Sequence, residues 1–300
     1  MAAPGNDPSA ACGFMNRVYQ RATYLFDPLH QWWESDRTQR SVAGLLIATF
    51  LLGMACIEMN RQGWLPDPLA ARTPTSHYMA ISLAFTLVLI LEVVSLIFTL
   101  PCSISKAVGK QFEILALILL RNSFKELVHF PEPITIGEGE LEALKHIAVD
   151  GISALVIFGL LGLYMLLRKD PEDEQTRGAT LFSFVSAKKI VALTLLACFL
   201  GMGSYNLWLF FHGYGHDFDF FLAFYTVLIF SDILLVLISQ RFHPSFRAVF
   251  RNSGFALATL FIRLALTAPP YYNAILGVGA AAYAVLLTVT YNTLFSRPRP

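Results

Sequence analysis

The 300-residue chain is 55% hydrophobic and only 14% charged, with a mean hydropathy of +0.56, whereas soluble domains carry about 25% charge. A formal net charge of +1 offers no concentrated basic surface, which argues against nucleic-acid binding. Cys12, Cys56, Cys102 and Cys198 show no ligand spacing, so neither a disulfide framework nor a zinc site follows.

The first forty residues are mixed and polar, with Arg17, Arg21, Arg37 and Arg40 preceding any apolar run. No cleavable leader is therefore expected, and the first span would act as its own insertion signal. Within this segment Phe14, Val18, Ala22, Leu25, Leu29 and Trp32 recur at helical spacing over 14–33, with Pro28 as an expected break. Such a helix either lies in the membrane interface, anchored by Trp32 and Trp33, or packs on the inner face of the protein itself.

Eight apolar segments follow, at 41–59, 78–100, 105–129, 147–168, 188–211, 217–240, 246–268 and 271–294. They predict an all-α polytopic membrane protein of about eight transmembrane helices, each near the 20 residues a bilayer requires. The third and seventh are the least apolar: one holds Lys110, Glu113 and Arg121, the other Arg247, Arg251 and Arg263. Lys and Arg collect on the cytoplasmic side of membrane proteins. With both termini inside, sixteen of the 22 basic residues fall on that side, and only Arg61, Arg72, Lys125 and Lys145 fall outside. The outer loops are instead acidic, notably at Glu132, Glu138, Glu140 and Glu142. This asymmetry points to a multi-pass membrane protein with cytoplasmic termini.

The chain also repeats itself. Phe50-Leu-Leu-Gly-Met54 resembles Phe199-Leu-Gly-Met202, with Arg40 answering Lys188. LAFTLVLILE from Leu83 is echoed by LAFYTVLIFSD from Leu222, each ending in an acid, Glu92 or Asp232. Val108-Gly-Lys-Gln111 then answers Val249-Phe-Arg-Asn252, and each following helix reaches one arginine, Arg121 or Arg263. The ordered recurrence of acid, basic loop and late arginine predicts two tandem four-helix bundles, 41–169 and 187–296. They follow a cytoplasmic segment, 1–40, and are joined by a charged linker, 170–186. An even number of spans per unit makes the repeats parallel rather than inverted.

Asp232, the linker residues His243, Pro244 and Arg247, and the helix bearing Ile262-Arg263-Leu264 give the second repeat a resemblance, clearest over 222–294, to the phosphate-starvation-inducible E family of small four-helix bacterial membrane proteins. The first repeat lacks the His-Pro linker, and that family is usually a single bundle. The resemblance implies fold and membrane location rather than a mechanism.

Intramembrane charges cost roughly 2.5–3.5 kcal/mol each on insertion scales and need a partner or a water-filled cavity. Glu92 and Asp232 lie about 12 Å from the inner ends of their helices at 1.5 Å per residue. Lys110 and Arg251 start the next helices at the inner side and are the expected snorkelling partners of those acids. Glu113 sits near the depth of Glu92, and two adjacent carboxylates can share a proton. Arg121 and Arg263 lie toward the outer side, with Glu58 or Asp150 expected for the first and Asp217 or Asp219 for the second. A voltage sensor would need several arginines at three-residue spacing on one helix, which Arg247, Arg251 and Arg263 do not provide.

His77, His129, His146, His212 and His216 gather on the outer face. His212 and His216 are four apart, followed by Asp217 and Asp219, a spacing able to place two metal ligands together. Gly213 and Gly215 predict a turn there instead, and no further ligand completes the set. No metal or cofactor is expected. Enzymatic motifs are absent, with no GxSxG, Walker loop, HExxH or dinucleotide fingerprint. Two functions remain: a non-enzymatic membrane component of stress-related or scaffold type with structural charge pairs, or a proton or small-ion transporter using Glu92, Glu113 and Asp232. Beyond lipid, Gly159-x-x-Gly162 and Gly277-x-Gly279-Ala-Ala would permit close approach within the chain, to a second copy, or to another membrane protein.

Overall fold

The computed structural model describes residues 8–66, 70, 73–101, 104–130, 137, 141–168, 178–212, 219–242 and 244–295. Among these there are nine α-helices and no strand: α1 Pro8–Glu34, α2 Asp36–Arg61, α3 Tyr78–Thr99, α4 Ile104–Lys125, α5 Leu141–Leu167, α6 Gly178–Phe211, α7 Phe220–Phe242, α8 Phe246–Thr267 and α9 Tyr272–Phe295. A single 3-10 turn, Glu126–His129, extends α4. Seven helices are long and apolar enough to cross a membrane, namely α2, α3, α5, α6, α7, α8 and α9. This is a polytopic all-α membrane architecture.

Local chemistry sets the helix ends. Ser35 separates α1 from α2 and caps α2, its side chain accepting from the Thr38 N–H at 3.3 Å. Ser245 caps α8 in the same way through the Ala248 N–H at 3.4 Å. Beyond α2, Gly63 takes a left-handed φ of 72°, the conformation that commonly ends a helix. Pro269 and Pro270 stop α8 by withholding backbone donors, and Tyr271 turns the chain into α9 with φ 69°. That conformation is costly for a bulky residue. It is held by a hydrogen bond from the Tyr271 hydroxyl to Glu142 at 3.1 Å and by the edge of the ring against His146 at 4.7 Å between centroids. Partial desolvation and that hydrogen bond keep the Tyr271 phenol above its ordinary pKa.

Two apolar cores form. The first joins Val108, Phe112, Leu115 and Leu119 of α4 to α5, α8 and α9. The second joins Ile114 and Ile118 of α4 to α3, α6, α7 and Phe26 of α1. Among the buried core residues, α4 alone contributes to both. Its third face, with Leu117, Leu120 and Phe124, points outward. The low apolarity of α4 therefore reflects position: two of its faces meet protein rather than lipid.

The expected division at 170–186 does not mark the strongest packing boundary. α5 and α9, from opposite halves, pack extensively on each other, and α4 contacts α8. Together α4, α5, α8 and α9 form a shared four-helix core, with α2–α3 and α6–α7 as flanking hairpins. Polar ties join the start of α4 and the end of α9 to the end of α5: the Tyr164 hydroxyl donates to the Ser105 carbonyl at 2.8 Å, and Asn292 Nδ2 to the Leu167 carbonyl at 2.7 Å.

Three local expectations change. Pro28 lies inside α1 without ending it. The buried face of α1 is Ala22, Phe26, Leu29 and Trp33, while Leu25 and Trp32 face outward. α1 is docked on the protein, because Lys189 of α6 donates to Asp27 at 2.6 Å and Trp33 stacks near Phe98. Finally, α6 begins at Gly178, so 178–186 of the expected linker is helix; residues 170–177 lie outside the described residues.

The two small-residue faces also differ. A side chain at Gly159, Gly162 or Gly279 would meet nothing within 4 Å, whereas at Gly277 a Cβ would lie 3.1 Å from Ile157 and 3.3 Å from Leu115. Both neighbours are fully buried. Gly277→Leu should therefore destabilise by about 1–3 kcal/mol through overpacking, while Gly162→Leu leaves the melting temperature in detergent unchanged.

Candidate functional site

Two intramembrane polar clusters emerge. The deeper one lies where α4 and α7 meet α8. Asp232 of α7 and Arg263 of α8 form an ion pair at 3.6 Å, with the residues only 7% and 2% exposed. This length exceeds a hydrogen bond, and among the described residues Asp232 Oδ2, Arg263 Nε and Arg263 Nη2 have no hydrogen-bond partner. Beside the pair is a cavity of about 30 Å³ whose polar lining is Asp232, Gln111, Asn252 and Thr259. Asn252 Nδ2 donates to the Ser239 hydroxyl, and the Thr259 hydroxyl to the Ala256 carbonyl at 2.8 Å.

The second cluster lies nearer the C-terminal end of α3 and the N-terminal end of α4. Lys110 pairs with Glu113 one turn along α4 at 2.9 Å, both half-exposed. Glu92 is within electrostatic reach of both, and its Oε2 is buried with no hydrogen-bond partner among the described residues. One ammonium thus serves two carboxylates. Its i,i+3 position favours Glu113, which is reached without crossing to another helix.

The expected charge partners are largely rearranged. Asp232 pairs with Arg263 rather than with Arg251, which instead lies over the Tyr291 ring at 5.4 Å and reaches Asn252 Oδ1 at 3.4 Å. The long arginine side chain extends inward along α8, so the acid and the late arginine of the second half meet. Asp219 does not approach Arg263, and Asp217 lies outside the described residues. Arg121 pairs with neither Glu58 nor Asp150. Its guanidinium donates to the Phe85 carbonyl at 3.2 Å and to Asn122 Oδ1 at 3.5 Å, and its Nε has no partner among the described residues. Glu58 is taken by Gln62 at 2.7 Å and His77 at 3.3 Å. Asp150, buried on α5, accepts from Asn273 of α9 at 3.3 Å.

The histidines expected on the outer face are also locally engaged. His212 bonds the Trp208 carbonyl at 2.9 Å and packs on its indole, and His146 meets Glu126 at 3.6 Å. His216 and Asp217, along with the side chain of His129, lie outside the described residues. Among the described residues no group of three or more His, Cys, Asp or Glu is placed to hold a metal ion.

Sequence reasoning missed Gln111, Asn252 and Thr259 as members of the deep site. The signal was present: Gln111 and Asn252 end the similar stretches Val108–Gln111 and Val249–Asn252, and a carboxamide inside an apolar helix demands a partner. Compared with known families, curated proteins and solved structures, the chain matches none.

Removing one member of a buried ion pair strands the other charge, at a cost of about 3–5 kcal/mol, whereas an apolar replacement of both can be neutral. Arg263→Met should therefore sharply lower thermal stability, and Asp232→Leu/Arg263→Met should recover most of the loss. Equal melting temperatures for Arg263→Met and the unsubstituted protein would remove the structural role of the pair.

Proposed function

We propose that the protein is a non-enzymatic multi-pass membrane component of scaffold or stress-related type, with buried charges fixing helix register. The observation that carries this reading is the buried Asp232–Arg263 pair, which ties α7 of a flanking hairpin to α8 of the shared core. Its acid is matched to a base on the neighbouring helix. Lys110 and Glu113 likewise cancel each other.

The same proposal takes α4 as an eighth span. Its 22 residues reach about 33 Å at 1.5 Å per residue, enough to cross the hydrocarbon core. Its outward face is apolar at Leu117, Leu120 and Phe124, and its lower end carries a neutralised ion pair. Eight spans put both termini on one side, in keeping with the basic-residue bias, and give each tandem repeat four helices in parallel orientation. The likeness of 222–294 to the phosphate-starvation-inducible E family, and residence in a bacterial inner membrane, belong to this proposal. So does a membrane-protein partner or second copy against the open Gly159 and Gly162 face, where a Cβ added at either glycine would meet nothing within 4 Å.

The second reading, a proton or small-ion transporter, is favoured by two atoms: Glu92 Oε2 and Asp232 Oδ2, carboxylate oxygens without hydrogen-bond partners among the described residues. Flux measurements in liposomes separate the two. The scaffold reading expects no proton or alkali-cation flux above that of protein-free vesicles. Flux that disappears in Glu92→Gln or Asp232→Asn would replace it with transport.

Topology has its own test. In a background without native cysteines, Lys106→Cys and Arg247→Cys should label from the cytoplasmic side and Glu142→Cys from the outer side. Labelling of the first two from opposite sides would exclude the eight-span arrangement.

A further inference from the structure

The cavity at the deep site has a chemistry that the charge pair alone does not explain. It lies between the first half of the chain, through Gln111 on α4, and the second half, through Asp232 on α7 and Asn252 and Thr259 on α8. Gln111 is 2% exposed, yet its Oε1 has no hydrogen-bond partner among the described residues. Asp232 Oδ2 shares that condition. Both atoms are acceptors, so neither can satisfy the other, and the unbonded donors of Arg263 lie beyond hydrogen-bond distance of both. A bridging group with two hydrogens would satisfy them.

The free space bounds the choice. About 30 Å³ exceeds the 10–15 Å³ a water requires on such a measure, and is far too small for an organic ligand. Charge bounds it further. Arg263 Nη2 stands 3.6 Å from the same Asp232 Oδ2, so the carboxylate is already balanced, and an added cation would lie in the unscreened field of the guanidinium. A neutral molecule with two hydrogens fits these constraints.

We propose that this cavity is a binding site for one water molecule, which donates one hydrogen to Gln111 Oε1 and the other to Asp232 Oδ2. The water joins α4 to α7 at the level of the Asp232–Arg263 pair. The Thr259 hydroxyl and Asn252, on the adjoining wall, offer further polar contact. Internal waters of this kind typically make about three hydrogen bonds to otherwise unsatisfied groups and resist removal. The inference holds whether the protein is a scaffold or a transporter, because it concerns how the halves are joined and requires no through-path.

The test uses the sign of a stability change. Methionine approximates the shape of glutamine without its polar atoms. If the cavity is dry, Gln111→Met replaces a buried, unbonded carboxamide with an apolar group, and the protein should melt at the same or a higher temperature. If water bridges the site, the substitution removes one of its acceptors, and the melting temperature of the full chain in detergent should fall by about 2–4 °C. An unchanged or raised value overturns the proposal. Should the variant not fold, density for the unsubstituted protein in lipid nanodiscs decides. A peak about 3 Å from both Gln111 Oε1 and Asp232 Oδ2 supports the site, and its absence, or a direct bond from Arg263 to Gln111, overturns it.

Discussion

The architecture depends on enclosing one helix that lipid alone would not tolerate. α4 carries Lys106, Lys110, Glu113, Arg121 and Lys125 within 22 residues, a load that would be expensive if these groups faced hydrocarbon. Its cost is lowered in three ways. Two faces join the two apolar cores, packing chiefly on α3, α5 and α8, Lys110 and Glu113 neutralise each other, and Arg121 donates hydrogen bonds to acceptors on α3 and on its own helix. Among the described residues α4 alone supplies buried side chains to both cores, and so links them.

The deep polar site is a consequence of the same enclosure. Where α4 meets α7 and α8, each helix turns a polar group inward: Gln111, Asp232, Arg263 and Asn252. In a low-dielectric interior such groups are strongly constrained, since a satisfied pair fixes register and an unsatisfied atom carries a large penalty. The Asp232–Arg263 pair therefore favours one alignment of α7 against α8. The acid and arginine of the first half are not joined this way, since Glu92 sits by Lys110 while Arg121 turns to Phe85. The halves thus share a pattern of residues without sharing a pattern of bonds.

Much of the helix layout was legible because long apolar runs are a direct physical signal. The helices beginning near residues 78, 246 and 271 start within a residue or so of expectation. Less legible was what side-chain reach decides. Arg263 is long enough to bypass an outer aspartate and reach Asp232, and helix numbering alone does not give the direction in which it extends. The buried face of α1 was read one position early in the helical sequence, with Leu25 and Trp32 in place of Phe26 and Trp33, because both registers are apolar there. Tertiary contact with Lys189 and Phe98 selects between them. Gln111 and Asn252 were visible as repeated letters, but depth and orientation were needed to set them against one cavity.

The pairing of α5 with α9 constrains the order in which the molecule can be assembled. These helices are separated by more than a hundred residues, and Ala154, Ile157 and Leu161 on one face Ala280, Ala281 and Ala284 on the other. During synthesis α5 enters the bilayer with this surface, and with Asp150, turned toward lipid or a temporary neighbour, until Asn273 and α9 arrive. The central packing is thus sealed only once α9 has been made, so interruption of the chain before it would leave the longest-waiting surface without its mate.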